Sequence, residues 1–316
     1  MTENMLRRVA SAVFYAITSI ACTLCNKVLL TNYRFPSFEI VALGQVVATI
    51  VILRLAKALR IIKFLSLDSS IPRKIFPLPI LYGINVVAGL GGTKMLSLPM
   101  FTVLRRFSIL VTMFLEFYVL GVVASSSVRL SVAFMIVGSI LAAVYDLSFD
   151  STGYLLCSIN NLCTAALGIC TKQKLDAKDL GKYGLMYYNC LIMATPLTLL
   201  CYWTGDIEKA IQFMSSEEMS SGAWLCFMAS GVCGFILNYS LVLCTYYNSA
   251  LTTQCVGAIK NVLVTYVGMI TSDDFLFGWL NLVGINISVA GSILYSYVTF
   301  VSKTRRNSAS SAKFTV

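Results

Sequence analysis

The sequence contains no histidine and few charged side chains. Only 12% of its 316 residues are Asp, Glu, Lys or Arg, whereas soluble domains average about 25%. Histidine is the side chain used most often in acid–base catalysis, and it is a common zinc ligand. The single CxxC pair, Cys22 and Cys25, has no second pair near it, and most of the eleven cysteines lie in apolar runs, where they act as small hydrophobes. We therefore expect no metal site and no cofactor.

Acidic side chains are also scarce inside the apolar runs. Glu39 and Glu116 are the acids that fall within a run rather than at its end, and they belong to different runs. A membrane-embedded glycosyltransferase or protease would need a carboxylate pair, a histidine or metal ligands at its site. The sequence therefore argues against an enzyme.

Long hydrophobic runs are what the sequence has in abundance. Hydrophobic residues make up 58% of the chain, and the mean hydropathy is +0.80. A helix needs about 20 apolar residues to cross a bilayer. Stretches of that length predict ten membrane helices, near 9–30, 37–59, 75–95, 98–122, 128–146, 150–172, 184–203, 221–247, 249–271 and 276–300.

Basic residues are distributed unevenly over the predicted loops. With ten spans both termini lie on one side, and most of the 24 basic residues fall on that side, whereas Arg34 and Lys209 fall on the other. Lysine and arginine accumulate in cytosolic loops, so we predict that both termini are cytosolic. The net charge of +10 is then a feature of topology and does not require a nucleic-acid partner.

Two short words recur with the same spacing. GSIL occurs at Gly138–Leu141 and Gly291–Leu294, and LVT occurs at Leu110–Thr112 and Leu263–Thr265. Two halves of five spans each would be inverted relative to one another, which is a transporter architecture. We therefore predict an all-α membrane protein of ten transmembrane helices in two inverted five-helix repeats. Residues 1–147 form the first repeat, 148–302 the second, and 303–316 a cytosolic tail.

Three cations lie deep inside predicted spans, at matching levels of the two repeats. Lys260 is about three turns into its span, and Arg105 and Arg106 occupy the equivalent level of the first repeat. A cation at that depth costs roughly 2.5–3.5 kcal/mol on insertion scales, so it requires an anionic partner. The partner is either a phosphate group of a substrate or a buried carboxylate, for which Glu116 is the main candidate. Lys27, one turn from a span end, fits either a substrate or an interface role.

Other residues near these cations suit recognition of the rest of a substrate. Gly257 allows close approach of a neighbouring helix or a ligand. Tyrosine and asparagine side chains offer ring faces and amides, although tyrosines also anchor span ends at the membrane interface. The candidates of this kind are Tyr15, Tyr187, Tyr188, Asn189, Asn238 and Asn261.

Nearly the whole chain resembles the nucleotide-sugar transporters of the drug/metabolite transporter superfamily. The segments that carry the resemblance are NKVLLTNYRFPSF at 26–38, GTKMLSLPMFTVLRRFSIL at 92–110 and NYSLVLCTYYNSALTTQCVGAIKN at 238–261. They are most similar to the branch that carries UDP-glucuronate, UDP-N-acetylglucosamine and UDP-N-acetylgalactosamine. The resemblance implies a Golgi or endoplasmic reticulum membrane, lipid surroundings, and exchange of a nucleotide sugar for a nucleoside monophosphate. A homodimer is left open.

Two motifs of the GDP-mannose branch are altered in this chain. The resemblance aligns a Phe-Tyr-Asn-Asn motif with residues 187–190, which read Tyr-Tyr-Asn-Cys, and a Gly-Ala-Leu-Asn-Lys motif with residues 257–261, which read Gly-Ala-Ile-Lys-Asn. The first change removes one amide, and the second moves the lysine by one residue, about 100° around a helix. We therefore predict a UDP-sugar/UMP antiporter, with a GDP-sugar carrier or a carrier of phosphorylated small metabolites as alternatives. The predicted substrate-binding residues are Tyr15, Lys27, Arg105, Arg106, Tyr187, Tyr188, Asn189, Asn238, Gly257, Lys260 and Asn261.

Overall fold

A computed structural model describes residues 2–65, 68, 70–96, 98–144, 150–177, 180–216, 219–258 and 279–302. The described chain is built from helices. In chain order they are α1 Thr2–Lys27, α2 Phe38–Ala58, α3 Ile71–Ile75, α4 Leu78–Met95, α5 Leu98–Leu104, α6 Phe107–Leu120, α7 Ser126–Val144, α8 Ser151–Ala177, α9 Gly181–Trp203, α10 Asp206–Ser215, α11 Ser221–Tyr247, α12 (described over 250–258) and α13 Trp279–Ser296. Short π-helical turns, Val28–Asn32 and Tyr297–Ser302, continue α1 and α13.

Seven helices in the described ranges are long and apolar enough to cross a membrane. They cover Met5–Leu30, Phe38–Ala58, Ser126–Val144, Ser151–Ala177, Gly181–Trp203, Ser221–Tyr247 and Leu282–Thr299. Each of them overlaps a predicted span, and a shorter apolar helix, Leu78–Thr93, overlaps the third predicted span. The prediction of an all-α, multi-pass membrane protein is confirmed. The count of ten and the inverted repeats stay predictions.

Two details differ from the sequence-based expectation. The fourth predicted span, 98–122, contains two helices, α5 and α6, with Arg105 and Arg106 at the junction. The short helix α10 was not predicted, because its ten residues are amphipathic and escape a search for long apolar stretches. Its buried residues Ala210 and Phe213 pack in a cluster with Leu29 and Phe35, and the Phe35 and Phe213 rings are 5.6 Å apart.

The described residues form two compact units. The first unit contains Met1–Val9, Ile84–Ile169 and Asn248–Val316, and the second contains Ala10–Gly83 and Cys170–Tyr247. Both units combine segments that are distant in sequence. They are thus a different division of the chain from the predicted repeats 1–147 and 148–302, which stay a prediction.

In the first unit, α7 and α13 approach each other closely along small residues. A Cβ atom at Gly138 would overlap the Ser288 amide nitrogen and lie 2.6 Å from the Gly284 carbonyl oxygen. A Cβ atom at Gly291 would lie 2.7 Å from the Met135 amide nitrogen. The Ser288 hydroxyl donates to the Met135 carbonyl at 2.8 Å. Small residues allow membrane helices to pack backbone against backbone, and here the glycines of both GSIL words supply that contact.

Replacing Gly138 by leucine is expected to destabilise the protein, because the new side chain would force α7 and α13 apart. Overpacking of this kind costs about 1–3 kcal/mol. Thermal unfolding of the purified protein in detergent measures the effect. The matched control is Gly83→Leu in α4, where a Cβ atom would meet no other atom within 4 Å. Equal unfolding temperatures for the two variants would contradict the close packing of α7 on α13.

Candidate functional site

Arg105 and Arg106 lie where the helical hydrogen-bond pattern of the first unit is interrupted. The Arg106 amide donates to the Val103 carbonyl at 3.1 Å, and the Ser108 amide donates to the Arg105 carbonyl at 3.1 Å. Both bonds span three residues rather than four, as in a 3₁₀ turn. A short 3₁₀ stretch inside a helix often marks a functional hinge. The two arginines therefore lie at a discontinuity between α5 and α6.

Side chains from neighbouring helices bind the backbone carbonyls at this interruption. The Asn161 amide nitrogen, from α8, donates to the Leu104 carbonyl at 2.9 Å. The Ser139 hydroxyl, from α7, donates to the Val103 carbonyl at 3.3 Å. A break inside a membrane helix is tolerated when polar side chains satisfy the backbone groups that it releases. Asn161 performs this role for the Leu104 carbonyl, whereas the Val103 carbonyl also accepts from the Arg106 amide.

The two arginines differ in exposure. Arg106 is 2% exposed and ranks among the largest fully buried side chains of the described structure. Arg105 is half-buried, and its guanidinium carbon lies 5.8 Å from the centre of the Phe101 ring. Burying a cation is costly unless it binds an anion or several acceptors. A guanidinium can bind two oxygens of one phosphate at once, so the pair suits an anionic ligand.

Glu116 binds the beginning of α12. Its side chain is 3% exposed, and one carboxylate oxygen accepts a hydrogen bond from the Leu251 amide at 2.7 Å. The Ser249 hydroxyl accepts from the Thr252 amide at 3.1 Å and caps the same helix end. A carboxylate at a helix N-terminus is favourable, because the free amides and the helix dipole are positive there. The sequence also suggested an ion pair of Glu116 with Arg105 or Lys260, and that pairing stays a prediction.

The helix that begins at this contact carries one predicted site residue within the described ranges. Gly257 lies near the end of the described part of α12 and is half-buried. Lys260 and Asn261 lie outside the described residues. Their assignment to the site stays a prediction from the sequence.

In the second unit, Tyr187 and Tyr188 form an aromatic cluster with Phe64. The Tyr187 and Phe64 ring centres are 5.0 Å apart, and the two tyrosine rings meet edge to face at 5.0 Å. The Tyr188 hydroxyl donates to the Leu65 carbonyl at 2.7 Å, and this side chain is almost completely buried. Tyr188 thus ties α9 to the segment that follows α2. Its predicted contact with substrate stays a prediction.

α9 and α11, which carry the predicted amides, also meet through Cys190 and through a second pair of tyrosines. The Asn238 amide nitrogen lies 3.3 Å from the Cys190 sulfur, which is one residue beyond Asn189. The Tyr239 ring is parallel to that of Tyr183, with 5.9 Å between the ring centres. The side-chain oxygen of Asn189 is buried and has no hydrogen-bond partner among the described residues. A planar, polar ring is a suitable ligand for such a group of aromatic faces and amides.

Tyr15 and Lys27 both lie on α1, in different environments. Tyr15 is buried, whereas Lys27 is exposed at the last residue of the helix. Next to Lys27, the Asn26 side-chain oxygen accepts from Gln45 at 2.9 Å and from Ser230 at 2.7 Å. Interhelical bonds between such polar groups join membrane helices, so this end of α1 is fixed to α2 and α11.

Several polar residues of these clusters were missed by sequence reasoning. Gln45, Asn161 and Ser230 are single polar residues in apolar runs, and such a residue indicates a buried polar contact. Their hydrogen-bond partners are distant in the chain, so the sequence alone could not assign their roles. Tyr183 was one tyrosine among 16. Among the described residues, no group of three His, Cys, Asp or Glu side chains could hold a metal ion.

Seven described helices are long and apolar enough to cross a membrane, and the described structure also buries Arg106, Glu116 and Asn161. The sequence profile of the Triose-phosphate Transporter family matches residues 8–296, and the chain belongs to that family. The protein is therefore a transporter and not an enzyme, as the sequence predicted.

Known relatives confirm the predicted resemblance to nucleotide-sugar transporters. The chain is 64% identical to the UDP-sugar transporter sqv-7 of Caenorhabditis elegans, over 94% of this chain and 90% of that protein. It is 47% identical to the nucleotide sugar transporter SLC35D2 of Homo sapiens, over 96% of this chain and 89% of that protein. A crystal structure with 12% identity matches 92% of this chain and 99% of its own with a TM-score of 0.61, which supports the fold alone.

Proposed function

We propose that this protein exchanges cytosolic UDP-sugars for lumenal UMP across the Golgi or endoplasmic reticulum membrane. The observation that carries the proposal is the 64% identity, over 94% of this chain, to a UDP-sugar transporter. A second relative, the UDP-sugar transporter UST74c of Drosophila melanogaster, is 50% identical over 93% of this chain. The proposed sugars are of the UDP-glucuronate, UDP-N-acetylgalactosamine, UDP-N-acetylglucosamine or UDP-galactose class.

The proposal assigns the cations to the phosphate groups. Arg105 and Arg106 can bind phosphate oxygens in pairs, and Lys260 and Lys27 add point charges. When UMP moves from the lumen back to the cytosol, its phosphate would bind the same cations. The cations would then be neutralised during the return step as well. Exchange would then be faster than one-way uptake.

The aromatic and amide cluster of the second unit is assigned to the base. Tyr15, Tyr187 and Tyr188 provide ring faces, and Asn189 and Asn238 provide amides. The buried oxygen of Asn189, which has no partner among the described residues, can accept a hydrogen bond from the ring N–H of uracil. A guanine base has more polar edge groups and would need the second amide that this chain replaces with Cys190.

The proposed topology has ten membrane helices in two inverted repeats, with both termini in the cytosol. Seven membrane-length helices in the described ranges and the recurrence of GSIL and LVT at one spacing support it. Carriers with inverted repeats open their site to each side of the membrane in turn. Such a mechanism suits an exchanger.

Competition for uptake into liposomes tests the nucleotide preference. The purified protein is reconstituted, and uptake of labelled UDP-N-acetylglucosamine and UDP-glucuronate is measured with UMP, GMP or glyceraldehyde 3-phosphate outside. UMP is expected to inhibit about 5- to 150-fold more strongly than GMP, because a lost base contact with unpaired polar groups costs about 1–3 kcal/mol. Stronger inhibition by GMP would favour a GDP-sugar carrier. Inhibition by the triose phosphate but not by UMP would favour a carrier of phosphorylated metabolites.

A further inference from the structure

The interruption at Arg105 and Arg106 depends on a donor from another helix. In a continuous α-helix the Ser108 amide would donate to the carbonyl four residues back, that of Leu104. Here Ser108 donates to Arg105, and the Leu104 carbonyl accepts from Asn161 at 2.9 Å. The Asn161 side chain is 4% exposed, so this bond is made away from solvent. Asn161 therefore takes the place of a backbone donor.

The space beside this bond is mainly apolar. A cavity of about 680 Å³ borders the interruption and is lined mainly by apolar side chains, among them Leu104, Phe107 and Val111. Without the Asn161 amide, the Leu104 carbonyl would border this apolar space unpaired. An unpaired buried carbonyl is costly. Return of Ser108 to the Leu104 carbonyl would remove that cost.

If the Ser108 amide donated to the Leu104 carbonyl, the side chains of Arg105 and Arg106 would rotate about the helix axis. A 3₁₀ turn advances about 120° per residue and an α-helix about 100°, so each converted residue rotates the side chains by about 20°. Arg105 and Arg106 lie inside the converted stretch. The direction of both guanidinium groups thus depends on which group binds the Leu104 carbonyl.

We propose that Asn161 is a positioning residue: by holding the Leu104 carbonyl it keeps the helix interrupted and aims Arg105 and Arg106 at the substrate. The role in transport rests on the proposed function. The role in orienting the arginines does not rest on the proposed function, because it follows from the hydrogen bonds alone.

Asn161→Leu tests this, with Asn160→Leu as the matched control. Asn160 also donates to a carbonyl of another helix, that of Asn85 at 2.8 Å, and it lies away from the arginines in the hydrogen-bond pattern. Asn161→Leu is expected to raise the KM for UDP-sugar about tenfold with little change in maximal rate, as for the loss of one buried hydrogen bond. Asn160→Leu should leave KM unchanged. Asn161→Gln keeps a donor and is expected to restore part of the affinity.

A second measurement is independent of transport. Phenylglyoxal modifies arginine side chains, and mass spectrometry compares its modification of Arg105 with that of Arg129, which is exposed. The ratio is expected to change about threefold in Asn161→Leu and to stay constant in Asn160→Leu. An unchanged ratio overturns the inference, whatever the transport assay gives. A changed ratio in a protein that carries no UDP-sugar would support the positioning role while removing the proposed function.

Discussion

Arg106→Met is expected to lower UDP-sugar uptake by about 10–100-fold, the effect of losing one charge-assisted hydrogen bond pair of about 1.5–3 kcal/mol. Methionine is long, unbranched and apolar, so it fills most of the space of a side chain that is 2% exposed. Loss of activity can then be attributed to the missing charge rather than to a cavity. Uptake of labelled UDP-N-acetylglucosamine into liposomes measures the effect.

Two further variants control this result. Arg106→Lys keeps the charge but not the planar fork, so it should be intermediate. Arg129→Met removes a cation from an exposed position at the start of α7 and should leave uptake unchanged. A fully active Arg106→Met protein, folded by its thermal midpoint, would show that Arg106 binds neither substrate phosphate.

Glu116→Leu is expected to lower both stability and transport. The substitution leaves the Leu251 amide without its buried acceptor at 2.7 Å, which costs about 1–3 kcal/mol. It also removes a negative charge from the start of α12, the helix that carries Gly257 and leads to Lys260. Glu116→Gln keeps an oxygen acceptor, so its loss of stability should be smaller. Thermal unfolding and uptake, measured on the same preparations, test both expectations.

A matched acid at another helix start provides the comparison. Glu208 lies in the first turn of α10 and is exposed, so Glu208→Leu should change the free energy of unfolding by only a few tenths of a kcal/mol. If Glu116→Leu were as stable and as active as Glu208→Leu, the contact with Leu251 would have no importance for α12.

The apolar spans could be predicted from the sequence because membrane insertion depends on local hydrophobicity. The interruption of the helix within residues 98–122 could not be predicted from the sequence. No helix-breaking residue marks the junction at Arg105 and Arg106, and the Leu104 carbonyl there accepts a hydrogen bond from Asn161, which is more than 50 residues away. Polar residues deep in the spans indicated buried contacts, but the sequence did not predict which groups they would contact. Glu116 is an example, since its contact with the Leu251 amide had no sign in the sequence.

The repeated words illustrate a different limit. The GSIL words were used to pair the fifth predicted span with the tenth as related segments. The structure brings Gly138 and Gly291 into one helix–helix contact, which the spacing of the words did not predict. Small residues occupy both positions because two backbones meet there. For the aromatic cluster, Tyr187 and Tyr188 were identified from the sequence, whereas Phe64 and Tyr183 were not, since single aromatic residues carry no pattern.

Exchange is the defining property of the proposed function, and a counterflow experiment measures it. Liposomes containing the protein are loaded with UMP, with GMP or with buffer, and the initial uptake of labelled UDP-N-acetylglucosamine and UDP-glucuronate is compared. Internal UMP is expected to accelerate uptake several-fold over buffer, whereas GMP is not, and Arg106→Met and Lys260→Ala are expected to abolish the acceleration. Uptake at the same rate in all three preparations would contradict the proposed UDP-sugar/UMP exchange.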